Sequence, residues 1–290
     1  MTAGLPVRAA PDDRPKLTWG LREHDPDALR VRAGGLAALT PDWAWSGSTG
    51  RGVRVCVVDS GVEPDHPRVG PLAGSFVVVK DEDGCQVVPS AGGDTCGHGT
   101  ACAGIVREQA PDCELTSVQV LGGKFSGTGE VLLAGLTWAV QQGFDVINLS
   151  LSTTRLQFAP QLRELADTAF FGGTAIVASA HNTPVESFPW RFSSVLSVGS
   201  HRRADPNLFL YNPVPPVEFF AQGQDVEVAW LNGGTKRSSG NSFAAPRVAG
   251  LAARVLAKHP QLTMFQLKSV LYRISANVHT EPSPDHDRQE

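Results

Sequence analysis

Between residues 53 and 200 the chain repeats one pattern: a short apolar, β-branched run, a glycine, serine or asparagine to close it, then a stretch of helical period. The runs are Val53–Val58, Phe76–Lys80, Glu114–Leu121, Val146–Leu151, Thr174–Ala180 and Ser194–Ser200. Val53–Val58, interrupted only by Arg54, is an apolar, β-branched run rather than an alternating one, which is what a buried parallel strand requires. Helical stretches fall at Gly129–Gln142 and Ala159–Phe171, each closed by glycine. Strands that alternate with helices predict an α/β fold: a mostly parallel, twisted β-sheet with helices on both faces, in three layers. Phe219 and Val226–Trp230 read as shorter strands near the edge. Thr40-Pro41-Asp42 starts a short helix within Ala37–Trp45, and Met264–Ser275 is a last helix. Residues 1–35, rich in Pro, Asp and Arg, read as an N-terminal arm, 36–278 as one domain, and 279–290 as a polar C-terminal tail expected to be disordered.

The net charge of −4 gives no basic field, so nucleic acid is not an expected partner. No apolar run approaches the roughly 20 residues that span a bilayer, so no membrane association is expected. Met1–Ala10 lacks a basic region followed by an apolar core, and the initial Met argues against a lost leader; a cytoplasmic location is therefore expected. That location favours reduced thiols. Of Cys56, Cys85, Cys96, Cys102 and Cys113, the first and fourth sit in core patterns, whereas Cys85 and Cys96 flank a loop and could pair in an oxidising compartment. No CxxC occurs, so zinc is not expected.

Three polar residues stand where chemistry gathers in such a sheet. Asp59 closes the Val53–Val58 strand, at the carboxyl end where open α/β sheets place functional groups; a turn aspartate is the plain alternative. His98, in Gly97-His98-Gly99-Thr100, stands at a helix start packed by small residues, where a structural histidine is the alternative. Ser242 follows Gly240 and opens a run of small and apolar residues through Leu256 that reads as a buried helix. A hydroxyl in a first turn lies beside free backbone N–H groups, the arrangement a serine nucleophile and its oxyanion need. An N-capping serine is the alternative. Gly240 permits close approach, and Pro246 reads as a first-turn proline.

Taken together, Val57-Val58-Asp59-Ser60-Gly61, Gly97-His98-Gly99-Thr100 with Ala103-Gly104, and Ser239-Gly240-Asn241-Ser242 with Ala244-Ala245-Pro246 and Val248-Ala249-Gly250 resemble the signature motifs of the subtilisin-like serine proteases. The order Asp, His, Ser along the chain is that of subtilisin. The resemblance runs from about Trp43 to about Ser275. It implies a serine endopeptidase in which Ser242 attacks a peptide carbonyl, His98 moves the proton, and Asp59 fixes the imidazole tautomer. It also implies Asn182 as side-chain donor to the oxyanion, and an extended peptide or protein substrate laid as a strand between Phe125-Ser126-Gly127 and Ser150-Leu151-Ser152. Ala180 would wall the first specificity pocket.

Departures from the family pattern are Asn241 for the usual Thr, Phe243 for Met, Arg247 for a common His, and His181 for the Gly beside the oxyanion asparagine. Glu186 lies in the stretch that lines the pocket floor in the family, where a carboxylate would favour a basic substrate side chain; a solvated loop charge is the plainer reading, and the one preferred. The calcium loop that often interrupts the helix after the histidine is missing between Gly104 and Pro111, so neither a metal nor another cofactor is expected. The arm also looks short for a folding pro-segment. The expected role is trimming of a specific precursor peptide. Alternatives are a peptide transacylase or macrocyclase on the same acyl-enzyme, which needs a lid against water, and a catalytically inactive peptide-binding module. The sequence leaves the oligomeric state open.

Overall fold

The computed structural model describes residues 39–82, 84–123 and 126–279. The arm at 1–35, Phe125 and the tail from residue 280 lie outside the described residues. In chain order the described elements are α1 (Pro41–Trp45), β1 (Arg54–Asp59), β2 (Gly61–Val62), β3 (Gly74–Asp81), β4 (Gly84–Pro89), β5 (Gly93–Asp94), α2 (His98–Gln109), β6 (Glu114–Gln119), α3 (Gly129–Gln141), β7 (Val146–Leu149), α4 (Ala159–Gly172), β8 (Ala175–Ser179), β9 (Leu196–His201), β10 (Phe209–Tyr211), β11 (Phe219–Gln222), β12 (Val226–Trp230), β13 (Gly234–Ser238), α5 (Asn241–Lys258) and α6 (Met264–Ile274).

Nine strands form the main sheet in the order β10-β11-β9-β8-β7-β1-β6-β3-β4. Its interior pairs are parallel, and β4 and β10 close the two edges antiparallel. The chain leaves β1 through α2 to β6 on one side, then crosses by α3 to β7 on the other. The carboxyl end of β1 is thus a point where connections diverge, the usual place for a site in an open sheet.

The parity of β1 explains its apolar centre, Val55–Val58. Val55 and Val57 join the core with α1, α2, α5 and α6, whereas Cys56 and Val58 join the core with α3 and α4. Alternate side chains point to opposite faces, so a strand covered on both must be apolar at every position. Burying a Val or Leu side chain contributes about 1.5–3 kcal/mol. α5 is the most enclosed helix of the first core: Ser242 through Ala253 are all buried. α1 opens as its sequence predicts, with Thr40 Oγ1 accepting from Trp43 N–H at 3.1 Å.

Two sequence readings need correction. Val226–Trp230 is not an edge of the main sheet; it pairs antiparallel with β13 as a separate hairpin against α2. β13 itself, Gly-Thr-Lys-Arg-Ser, is exposed along its middle and carries no apolar pattern by which it could be read. Pro246 is the sixth residue of α5, not a first-turn proline. At that depth it removes an N–H that would have bonded the carbonyl of Ser242. The edge strands β4 and β10 were not expected either; both are partly exposed, and β10 has only three residues.

Candidate active site

Asp59, the last residue of β1, is fully buried. Its Oδ1 accepts from His98 Nδ1 at 2.8 Å and from the Ser60 N–H at 2.7 Å. Oδ2 is also buried and accepts no hydrogen bond within the described protein. A carboxylate only accepts, so the proton on His98 resides at Nδ1 and the neutral ring offers a lone pair at Nε2. Burial, the largest cause, opposes a charged imidazole, but Asp59 and, behind it, Cys102 together outweigh it and hold His98 well above its ordinary 6.5. Cys102, one turn along α2, lies 3.9 Å from Nδ1 and donates to the Ser242 carbonyl at 3.5 Å. Burial pushes its thiol up, so it stays protonated. The ligand atoms of Asp59, His98 and Cys102 lie within 4.8 Å of one another, the only such group among the described residues that could hold a metal. All three are already engaged with one another or with Ser242.

The first turn of α2 is held by a residue the sequence reading passed over. Gly97 caps the helix but has no side chain to satisfy its first amides. Asp94 supplies the acceptors. Its Oδ1 takes Ser60 Oγ–H and the N–H groups of Cys96 and Gly97, and its Oδ2 takes the N–H and Oγ–H of Thr100, all between 2.7 and 3.0 Å. A carboxylate at a helix N-terminus is favoured by dipole and by hydrogen bonding alike. Gly99 lets that turn dock on the strand end: a Cβ there would lie 2.0 Å from Gly61 O. The signal in the sequence was an Asp four residues before the histidine, but its partners are dispersed along the chain.

Ser242 is the second residue of α5, so its N–H has no helical acceptor. Its carbonyl, freed by Pro246, accepts from Ser150 Oγ–H at 2.8 Å. Gly240 is extended; its need is for space. A Cβ there would meet Ser242 Oγ at 3.3 Å and Asn182 Nδ2 at 3.6 Å, so these two groups share one side of Gly240. Asn182 is oriented through its other atom: Oδ1 accepts the Asn241 N–H at 2.9 Å. The Asn241 side chain ties the surrounding ends together. Its Oδ1 accepts from Ser200 N–H and Oγ–H, and its Nδ2 donates to Ala180 O and His181 O.

His98, Asn182 and Ser242 line one cleft of about 460 Å³. Gly127, Ser150, Leu151, Ser152 and Ala180 line it too, whereas Ser126 does not and is bonded back to Gly122. Phe125 lies outside the described residues. The hydroxyl of Ser150 is committed to Ser242, and that of Ser152 donates to Ser187. His181 lines the wall beside Ala180 and bonds Thr183 through Nδ1. Glu186 is not among the lining residues. It is exposed and paired with Arg191, five residues on, which turns its charge away from the cleft. Glu186 is thus the solvated loop charge of the plainer sequence reading, and no acidic pocket floor is seen among the described residues. All five cysteines are free, Cys85 and Cys96 included.

Comparison with known proteins agrees with this geometry. A model of the Peptidase_S8 subtilase family matches residues 50–287. Subtilisin of Bacillus pumilus is 30% identical over 241 residues, covering 78% of this chain and 84% of that protein. Subtilisin E of Bacillus subtilis (strain 168) is 30% identical over 241 residues, and the match spans 61% of its length. A cold adapted subtilisin-like serine proteinase of known structure superposes with a TM-score of 0.63 at 27% identity, covering 80% of this chain and 87% of the other.

Proposed function

The chain belongs to the subtilase family and is a serine protease acting on peptide or protein substrates, and we infer that it cleaves peptide bonds through Ser242, His98, Asp59 and Asn182. The observation that carries the reading is the buried Asp59–His98 hydrogen bond at 2.8 Å beside a cleft that Ser242 and Asn182 also line. Nε2 of neutral His98 takes the Ser242 proton as Oγ attacks the carbonyl carbon. The imidazolium then protonates the departing amine, leaving an acyl-serine. Water, deprotonated by the same Nε2, releases the acid and restores the hydroxyl. The N–H of Ser242 and Nδ2 of Asn182 are the donors available to the oxyanion. Gly127 and the Ser150–Ser152 segment offer backbone to an extended peptide, with Ala180 and His181 beside the side chain at the scissile bond.

Among the described residues the cleft lining holds no carboxylate, lysine or arginine, which favours uncharged substrate side chains near the scissile bond. Action on a specific precursor rather than on bulk protein is the finer reading. A fluorophosphonate probe tests the chemistry: labelling at Ser242, lost in Ser242→Ala, is expected, and an unlabelled wild-type protein overturns it. Mass spectrometry of the products separates hydrolysis from ligation, and rapid unselective digestion of casein rejects the precursor role.

A further inference from the structure

Arg247 lies five residues beyond Ser242 on α5, and its side chain is 4% exposed. A buried guanidinium is tolerated when its N–H groups find acceptors. Two of its nitrogens, Nε and Nη1, are buried and make no hydrogen bond within the described protein. Glu108, near the end of α2, brings Oε1 to 3.2 Å from Nη1. That contact balances charge without the alignment of a hydrogen bond, and Glu108 itself is 41% exposed.

The small accessible part of Arg247 borders a cavity of about 640 Å³ on the far side of Ser239 from the cleft. Arg68, Arg202 and Arg237 line it with Arg247, against Glu108, Asp225 and Glu227. Four of these charges are spent in two pairs: Arg68 with Glu227 at 3.0 Å and Arg237 with Asp225 at 2.8 Å. Arg202, on the connection from β9 to β10, has no carboxylate within 4.0 Å among the described residues. What remains is two guanidinium groups facing one half-exposed glutamate. Guanidinium forks match the oxygens of an oxyanion in spacing and plane.

We propose that this cavity is a binding site for a small oxyanion of the phosphate type, anchored on Arg247 and assisted by Arg202. The anion meets the accessible edge of the Arg247 guanidinium and the Arg202 fork, and supplies the counter-charge that one half-exposed glutamate leaves incomplete. Arg247 shares α5 with Ser242, so an anion seated there braces the helix that carries the nucleophile, in competition with Glu108 for the same guanidinium. It binds the native state alone, so it raises the melting temperature by mass action.

The test is thermal unfolding of the full chain in a Ser242→Ala background, which removes self-digestion, titrated with sodium phosphate against sodium chloride at equal ionic strength. A saturable rise with phosphate is expected. Excluded salts also stabilise, but without saturation and without regard to one side chain. Arg247→Met, an apolar replacement of similar length, folds on the expectation that buried ion pairs exchange for apolar groups at little cost; it abolishes the saturable component. Where it does not fold, Arg202→Gln decides, with a half-saturating concentration raised about two- to fivefold, the scale of one partly exposed ion pair. A rise that never saturates in the parent, or that Arg247→Met leaves intact, overturns the site. So does an unchanged midpoint in Arg202→Gln when Arg247→Met cannot be measured.

Discussion

Ser150 Oγ donates to the main-chain carbonyl of Ser242 at 2.8 Å, at the one point in α5 where Pro246 has removed the helical donor. The same hydroxyl accepts from Asn148 Nδ2 at 3.1 Å. Ser150→Ala therefore leaves a buried acceptor with only the Cys102 thiol, and a buried amide with nothing. Each orphan costs about 1–3 kcal/mol, so a loss near 2 kcal/mol or more is expected in urea unfolding. Pro246→Ala restores an N–H four residues from Ser242. Added to Ser150→Ala, it should recover about half of that loss, a coupling that a double-mutant cycle reads directly. A double mutant no more stable than Ser150→Ala rejects this account of the proline.

The upward shift of His98 sets a sign for both activity and stability. Catalysis needs the neutral ring, so kcat/KM should climb with pH along a limb centred above 6.5. Stability runs the other way. Native His98 holds its proton more tightly than the unfolded chain, so the pair contributes in full below about pH 6.5 and is lost as pH rises through the higher native value. Asp59→Asn should move the activity limb down, since burial is then opposed only by Cys102, and should lower kcat by about 10⁴, the scale of the same change in another serine protease. A limb that stays in place in Asp59→Asn would show that the carboxylate does not set it.

Glu186 is turned outward by Arg191. Glu186→Gln should therefore leave the ratio of rates on Arg- and Phe-containing peptides within about twofold of wild type, an exposed pair contributing about 0–1 kcal/mol. A selective tenfold loss on the Arg peptide would place the carboxylate back in the substrate's path.

The features legible in the sequence are those that one segment decides. Val55–Val58 had to be covered on both faces because it offers no polar side. The small residues after His98 and around Ser242 had to be helix starts packed closely on strands. What escaped reading depends on partners far along the chain. Asp94 is legible only with Ser60 and Thr100 in place around it. For Glu186 the sequence favours a solvated loop charge over a pocket charge, but does not show that Arg191 is its partner. β13 is held by backbone pairing to β12 while its middle side chains face solvent, so no periodicity betrays it.

Asn182 and Asn241 divide a task that substitution can separate. Asn182 Oδ1 accepts from Asn241 N–H, which leaves Nδ2 for the cleft. Asn182→Asp keeps the acceptor and removes the donor. It should lower kcat by about 10²–10³, the effect known for the oxyanion asparagine of a subtilisin, with KM and melting temperature nearly unchanged. Asn241→Ala acts elsewhere. It removes the acceptor of Ser200 N–H and Oγ–H and the donors to Ala180 O and His181 O, while keeping the backbone N–H that orients Asn182. At about 0.5–1.5 kcal/mol for each net hydrogen bond, a loss near 2–4 kcal/mol in unfolding is expected, with a smaller fall in kcat than Asn182→Asp produces. Equal kcat losses in the two variants, or a destabilised Asn182→Asp, would mean that donor and brace are not separate.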